Sequence, residues 1–209
     1  MSTEPTNTSR HFDVLIFDLF GVVIDFCDDL VAARLADCCA SPVDAFGELK
    51  DIVSRGELIR GHLTLSDLHS ELVERHGLSL GQREFEACWL RPYSRSMPGM
   101  AELIRQLAER YTTVLLSNVD KYYWGTLSER LPELRHFDHL VLSWQVGMAK
   151  PQRQVFELAV KVAGAPAGRC FFIDDKAENV EAARQLGLGA HRFTSLPDLT
   201  QSLVREGIL

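Results

Sequence analysis

The sequence predicts an α/β protein: a Rossmann-like, doubly wound parallel sheet carrying an inserted helical-bundle cap. Three observations predict it. Short apolar runs at 14–17, 113–116, 139–142 and 170–173 have the length and composition of strands buried on both faces. After Pro98-Gly99 these runs alternate with helical patterns, which is the signature of right-handed βαβ units and a parallel sheet covered on both sides. From Asp28 to about Arg91 the pattern is helical throughout, with no strand alternation.

The elements follow in order. Met1 to Arg10 is polar, lacks the apolar centre of a signal peptide, and is expected to be a disordered tail. The first strand ends at Asp18, and Gly21 marks a turn behind it. Four cap helices are expected: one from Asp28 to about Cys39, one capped by Ser41 with Pro42 at its first position, one after Ser66 and one after Ser79. Between the second and third, the segment from Arg55 through Glu57 and Arg60 to His62 reads as a turn rich in groups that could meet a ligand. Helices are then expected at about Met100 to Arg110, through Tyr122 to Arg130, from Pro151 to about Val162, from Lys176 to Leu186 and from about Leu196, with a short strand near Ala190 to Phe193. This divides the chain into a core at 11–27 and 92–209 and a cap at 28–91.

Composition limits the function classes. With 209 residues, 46% hydrophobic and 24% charged, the chain can bury a sizeable core. A net charge of −7 without a basic cluster argues against a nucleic-acid partner. No apolar run approaches the ~18 residues of a membrane span. Five cysteines (Cys27, Cys38, Cys39, Cys88 and Cys170) show neither zinc spacing nor a disulfide framework, and read as reduced thiols of a cytoplasmic protein.

Polar groups sit where the apolar runs end. Asp18 ends Val14-Leu15-Ile16-Phe17; Ser117-Asn118 end Thr113-Val114-Leu115-Leu116; Lys150 stands in Gly147-Met148-Ala149-Lys150-Pro151; and Asp174-Asp175 end Cys170-Phe171-Phe172-Ile173. In an open parallel sheet such ends converge on one crevice. These four motifs, in this order, resemble the haloacid dehalogenase superfamily in its capped branch, nearest to sugar-phosphate phosphatases and the phosphatase domain of soluble epoxide hydrolases. The resemblance implies a Mg²⁺-dependent phosphatase of a small phosphorylated metabolite, with sugar phosphates as candidates. It also implies Asp18 as nucleophile and Asp18, the Phe20 carbonyl and Asp175 as metal ligands, with Asp174 acting directly or through water. Ser117, Asn118 and Lys150 would stabilise the phosphoryl group, and Asn179 would hydrogen-bond within the fourth motif. Arg55, Glu57, Arg60 and His62 are the cap residues expected to select the substrate.

One position departs from the family pattern. The acid–base aspartate two residues after the nucleophile is replaced by Phe20, which can neither protonate a leaving oxygen nor activate water. Three readings stay open: a phosphatase whose leaving group departs easily, a metal-independent 2-haloacid dehalogenase, and a non-catalytic phosphometabolite-binding protein. Asp174-Asp175 facing Asp18 without a cation would repel one another, which favours the first. Asp25 is a candidate substitute acid, with a solvated turn acid as its plainer reading.

Overall fold

The computed structural model describes residues 11–26, 28–53, 56–91 and 95–209. The expectations for the tail at 1–10, Cys27 and Arg55 lie outside the described residues.

Five parallel strands form the main sheet: β1 (Val14–Phe17), β4 (Thr112–Ser117), β5 (His139–Leu142), β6 (Cys170–Asp174) and β7 (Gly189–Arg192). Their order is β5-β4-β1-β6-β7, so β1 is central, with β4 and β6 as its parallel neighbours. The chain leaves β1 toward opposite edges in turn, which makes its carboxyl end the switch point where a crevice opens. Alternate residues serve opposite faces, as the pleat requires. Leu15 and Phe17 join a cluster with Ile104, Leu107 and Ile173, whereas Val14 and Ile16 join Val114, Phe156 and Phe172 on the other face. Burial on both faces explains why these strands are unbroken apolar runs in sequence.

The remaining core helices are α6 (Met100–Ala108), α7 (Lys121–Arg130), α8 (Ser143–Val146), α9 (Arg153–Ala163), α10 (Ala177–Gln185) and α11 (Leu196–Arg205). A two-stranded antiparallel ribbon, β2 (Ile24–Asp25) with β3 (Arg95–Ser96), stands where the chain leaves and re-enters this core. Between its strands lie the cap helices α1 (Asp28–Ala36), α2 (Pro42–Val53), α3 (Gly56–Ile59), α4 (Leu65–His76) and α5 (Gln82–Trp89). The cap has its own buried cluster, including Leu35, Leu49, Leu58, Leu68, Leu72 and Phe85.

Several boundaries differ from the sequence expectation. α4 starts two residues early because Thr64 is its cap: the Thr64 hydroxyl accepts the Asp67 N–H at 3.1 Å, and Asp67 accepts the Thr64 N–H at 3.0 Å. α5 is capped at Gly81, whose N–H donates to Glu84 at 3.0 Å, rather than at Ser79, whose hydroxyl donates to the Cys38 carbonyl at 2.8 Å. The segment read as a turn contains the short helix α3, and α9 begins after Gln152 instead of at Pro151. Asp25 is an exposed residue of β2 and does not line the site cavity.

Candidate active site

Asp18 follows β1, Ser117 ends β4 and Asp174 ends β6, so three of the four motifs arrive on adjacent strands. Lys150 reaches them from the loop before α9. Its ammonium lies 2.6 Å from Asp18 Oδ1 and 2.7 Å from Asp174 Oδ2, with the lysine side chain only 1% exposed. Its Nζ lies over the Phe172 ring, 5.7 Å from the centroid. Burial pulls the Lys150 ammonium down in pKa, but the two flanking carboxylates outweigh it and hold the group above its ordinary value.

Asp18 Oδ1 also accepts the Leu19 N–H at 2.7 Å. Burial, aided by the Asp174 charge and opposed by Lys150, pushes the Asp18 carboxyl up to about 7. One lysine is therefore insufficient to offset the burial of this carboxyl. Carboxylate oxygens of Asp18, Asp174 and Asp175 lie within 4.8 Å of one another.

The two aspartates after β6 are not equivalent. Asp174 is fully buried and saturated: Oδ1 accepts the Lys176 N–H at 2.8 Å, and Oδ2 takes Lys150. The Asn179 carboxamide donates to both oxygens at 2.9 and 3.0 Å. Asp174 thus orients Lys150, and one of its oxygens lies with those of Asp18 and Asp175 in the acidic group that could hold a metal ion. Asp175 differs, since its buried Oδ1 has no partner among the described residues. Burial first, then the Asp174 charge, raises its carboxyl above the usual range. Gly21 makes this approach possible: at φ +79° it turns the chain, and a Cβ there would lie 2.7 Å from Asp175 Oδ2. The Phe20–Gly21 backbone is thereby brought against Asp175.

Ser117 is 1% exposed, and its hydroxyl has no partner among the described residues. The Asn118 side chain is tied to the lysine loop. Its carboxamide donates to the Lys150 carbonyl at 2.9 Å and accepts the Lys150 N–H at 2.8 Å. Its side chain braces the lysine loop, and the residue borders the crevice.

A cavity of about 160 Å³ opens beside these groups, bordered by Gly21, Asn118, Asp175 and Lys176 at its polar end. Arg60 and His62 are not among its lining residues; Ile59 is. On the short helix α3, Leu58 turns into the cap core and Ile59 toward the cavity, while the Arg60 guanidinium folds back over Gly56. His62 is exposed and its N–H bonds the Glu57 carbonyl at 2.8 Å.

Sequence reasoning missed the contacts that join cap to core. The Trp89 indole donates to Asp120 Oδ2 at 3.3 Å, and Ser143 Oγ lies 2.5 Å from the Ile59 carbonyl. Asp120 carried a local signal, because its Oδ1 caps α7 by accepting the Tyr122 and Tyr123 N–H groups, both at 2.9 Å. Burial raises its carboxyl pKa against these hydrogen bonds.

A strand-end carboxylate at the switch point of a parallel sheet, with a buried lysine and an acidic pair opposite, defines a class of hydrolases, and residues 12–187 match the haloacid dehalogenase-like hydrolase family. The chain belongs to that family. It is 26% identical over 198 residues to the D-ribitol-5-phosphate phosphatase of Bacteroides thetaiotaomicron, spanning 90% of this chain and 95% of that one. It is 29% identical over 192 residues to a sesquiterpene phosphatase of Aspergillus oryzae, spanning 88% and 92% of the two chains. A haloacid dehalogenase family enzyme of Bacteroides thetaiotaomicron, solved with magnesium and inorganic phosphate, superposes with a TM-score of 0.76 at 21% identity, over 91% of this chain and 98% of that one.

Proposed function

We propose that this enzyme is a Mg²⁺-dependent phosphatase of small phosphorylated metabolites, working through an aspartyl-phosphate on Asp18. The observation that carries the reading is the buried Asp18–Lys150–Asp174 bridge beside two unengaged oxygens, Ser117 Oγ and Asp175 Oδ1. The relatives named above are phosphatases, and a magnesium complex is known for a protein of the same fold.

The residues fit the metal. Hard oxygen donors and an excess of negative charge at Asp18, Asp174 and Asp175 suit Mg²⁺, and Asp18, Asp175 and the Phe20 carbonyl would hold it, with Asp174 acting directly or through water. When bound, the ion neutralises charge on the phosphoryl oxygens. Lys150 and the Leu19 N–H fix Asp18 Oδ1, which leaves Oδ2 to attack phosphorus. The new oxygen–phosphorus bond forms as the ester bond breaks, and the alcohol leaves with its electron pair. Ser117 Oγ–H and Lys150 offer hydrogen bonds to the transferring group. Water then attacks phosphorus, releasing phosphate and restoring Asp18. Because Phe20 supplies no proton, the departing oxygen takes one from water. Turnover should therefore fall by ~10²–10⁴ between acyl or aryl phosphates and alkyl phosphates. The free thiols Cys38, Cys39, Cys88 and Cys170 fit a cytoplasmic setting.

The test is phosphate release from acetyl phosphate and a sugar-phosphate panel with Mg²⁺ or EDTA, with Asp18→Asn as control and 2-chloropropionate for chloride release. Phosphate release that requires both metal and Asp18 is expected. Metal-independent chloride release would replace this reading with a dehalogenase, and silence on every substrate would leave a binding protein.

A further inference from the structure

We propose that the alcohol part of the substrate is apolar and about the bulk of one ring, so that the preferred substrates are phosphate esters of hydrophobic alcohols and not of sugars. This deepens the phosphatase reading and rests on it. The carrying observation is the wall of the cavity that continues from Asp175 and Asn118. Phe20 and Tyr123 line it from the core, Val31, Ile59 and Trp89 from the cap, and Phe26 from the junction.

Three of these form a ring cluster. Phe20 and Phe26 have centroids 4.7 Å apart, Phe26 and Tyr123 5.7 Å, and Phe20 and Tyr123 5.9 Å. Phe20 therefore does more than replace an acid: it turns the leaving-group side of the site into an aromatic surface. The whole cavity, polar end included, is about 160 Å³, close to the ~150 Å³ apolar cavity that takes up benzene, so the group admitted beside the phosphoryl is no larger than one ring.

Two of the polar side chains that border the cavity, Asp120 and Asn118, already hold protein partners. Both Asp120 oxygens accept hydrogen bonds, one from the Trp89 indole and the other from two backbone N–H groups. The Asn118 carboxamide is committed to the Lys150 backbone. A sugar placed here would surrender water around its hydroxyls and meet ring faces and methyl groups in return, whereas an apolar group loses nothing by leaving water.

Isothermal titration of the Mg²⁺-loaded wild-type protein with benzylphosphonate, methylphosphonate and glucose 6-phosphate tests this without requiring turnover. Benzylphosphonate should bind at least about tenfold more tightly than either of the others, and Ile59→Gln should reduce that preference. Equal affinities, a tighter sugar phosphate, or no binding of any of the three would overturn the inference; the wild-type comparison decides even if the variant does not fold. Acetyl phosphate turnover, measured in parallel, separates the two readings. Metal- and Asp18-dependent turnover without a benzyl preference removes only the apolar pocket, and a benzyl preference without turnover removes the phosphatase while the pocket stands.

Discussion

Replacing Lys150 by Met removes the one ammonium between two buried carboxylates while keeping the length of the side chain. Nζ lies 2.6 Å from Asp18 and 2.7 Å from Asp174, and the three side chains are 1%, 7% and 0% exposed. Breaking such a pair by removing one partner costs about 3–5 kcal/mol, because the remaining charges stay buried without compensation. For a chain of this size each kcal/mol moves the melting temperature by about 2–4 °C, so the metal-free variant should melt about 6–20 °C below wild type. Asp174 keeps the Lys176 N–H and Asn179, which places the expectation toward the lower half of that range. Circular dichroism melts in EDTA and in excess MgCl₂ provide the measurement. Magnesium should narrow the gap, since a cation on Asp18 and Asp175 replaces part of the missing charge. Phosphatase activity should fall by ~10²–10³, the usual loss for one preorganised electrostatic contact. A drop under about 2 °C in EDTA would refute the reasoning, because it would mean that this lysine does not compensate the buried carboxylates.

Gly21→Ala should destabilise by about 1–2 kcal/mol for the positive φ alone and should weaken Mg²⁺ binding measured by calorimetry, since the new Cβ would meet Asp175 Oδ2 at 2.7 Å. Ser117→Ala should leave the melting temperature nearly unchanged, its hydroxyl having no partner among the described residues, while kcat falls by ~10²-fold; equal kcat values would remove Ser117 from the site. Asp120→Asn keeps the cap of α7 but removes a carboxyl whose pKa burial raises. The folded protein then holds that proton to higher pH than the unfolded chain, so in wild type this group's contribution is fully present below its unfolded pKa and is lost as pH rises through the folded one. Melts from pH 4 upward should accordingly show the variant gaining relative to wild type with rising pH, and a constant difference would contradict a buried, raised carboxyl.

Much of this was legible from residue order alone. Unbroken apolar runs such as Cys170–Ile173 announce strands covered on both faces, and polar residues at their ends mark the crevice, because both signals are local and the parallel topology leaves few ways to arrange them. Cap positions were read less well. Thr64 displaced Ser66 at the start of α4 because the reciprocal bond with Asp67 decides between neighbouring hydroxyl residues.

What the sequence by itself determined is which chemical groups would gather: Asp18, Ser117, Lys150 and the Asp174-Asp175 pair, each fixed to the end of a strand or its following loop. Only the tertiary structure decided what those groups do to one another. Asp174 is saturated by Asn179, Lys176 and Lys150, Asp175 keeps an unpartnered oxygen, and Asn118 serves the lysine loop. Likewise, Ile59 and Trp89 face the cavity in place of Arg60 and His62. The physical reason is that hydrogen-bond saturation and the direction of a cap side chain depend on partners distant in the chain, such as Ser143 and Ile59, 84 residues apart, and no local pattern records such partners.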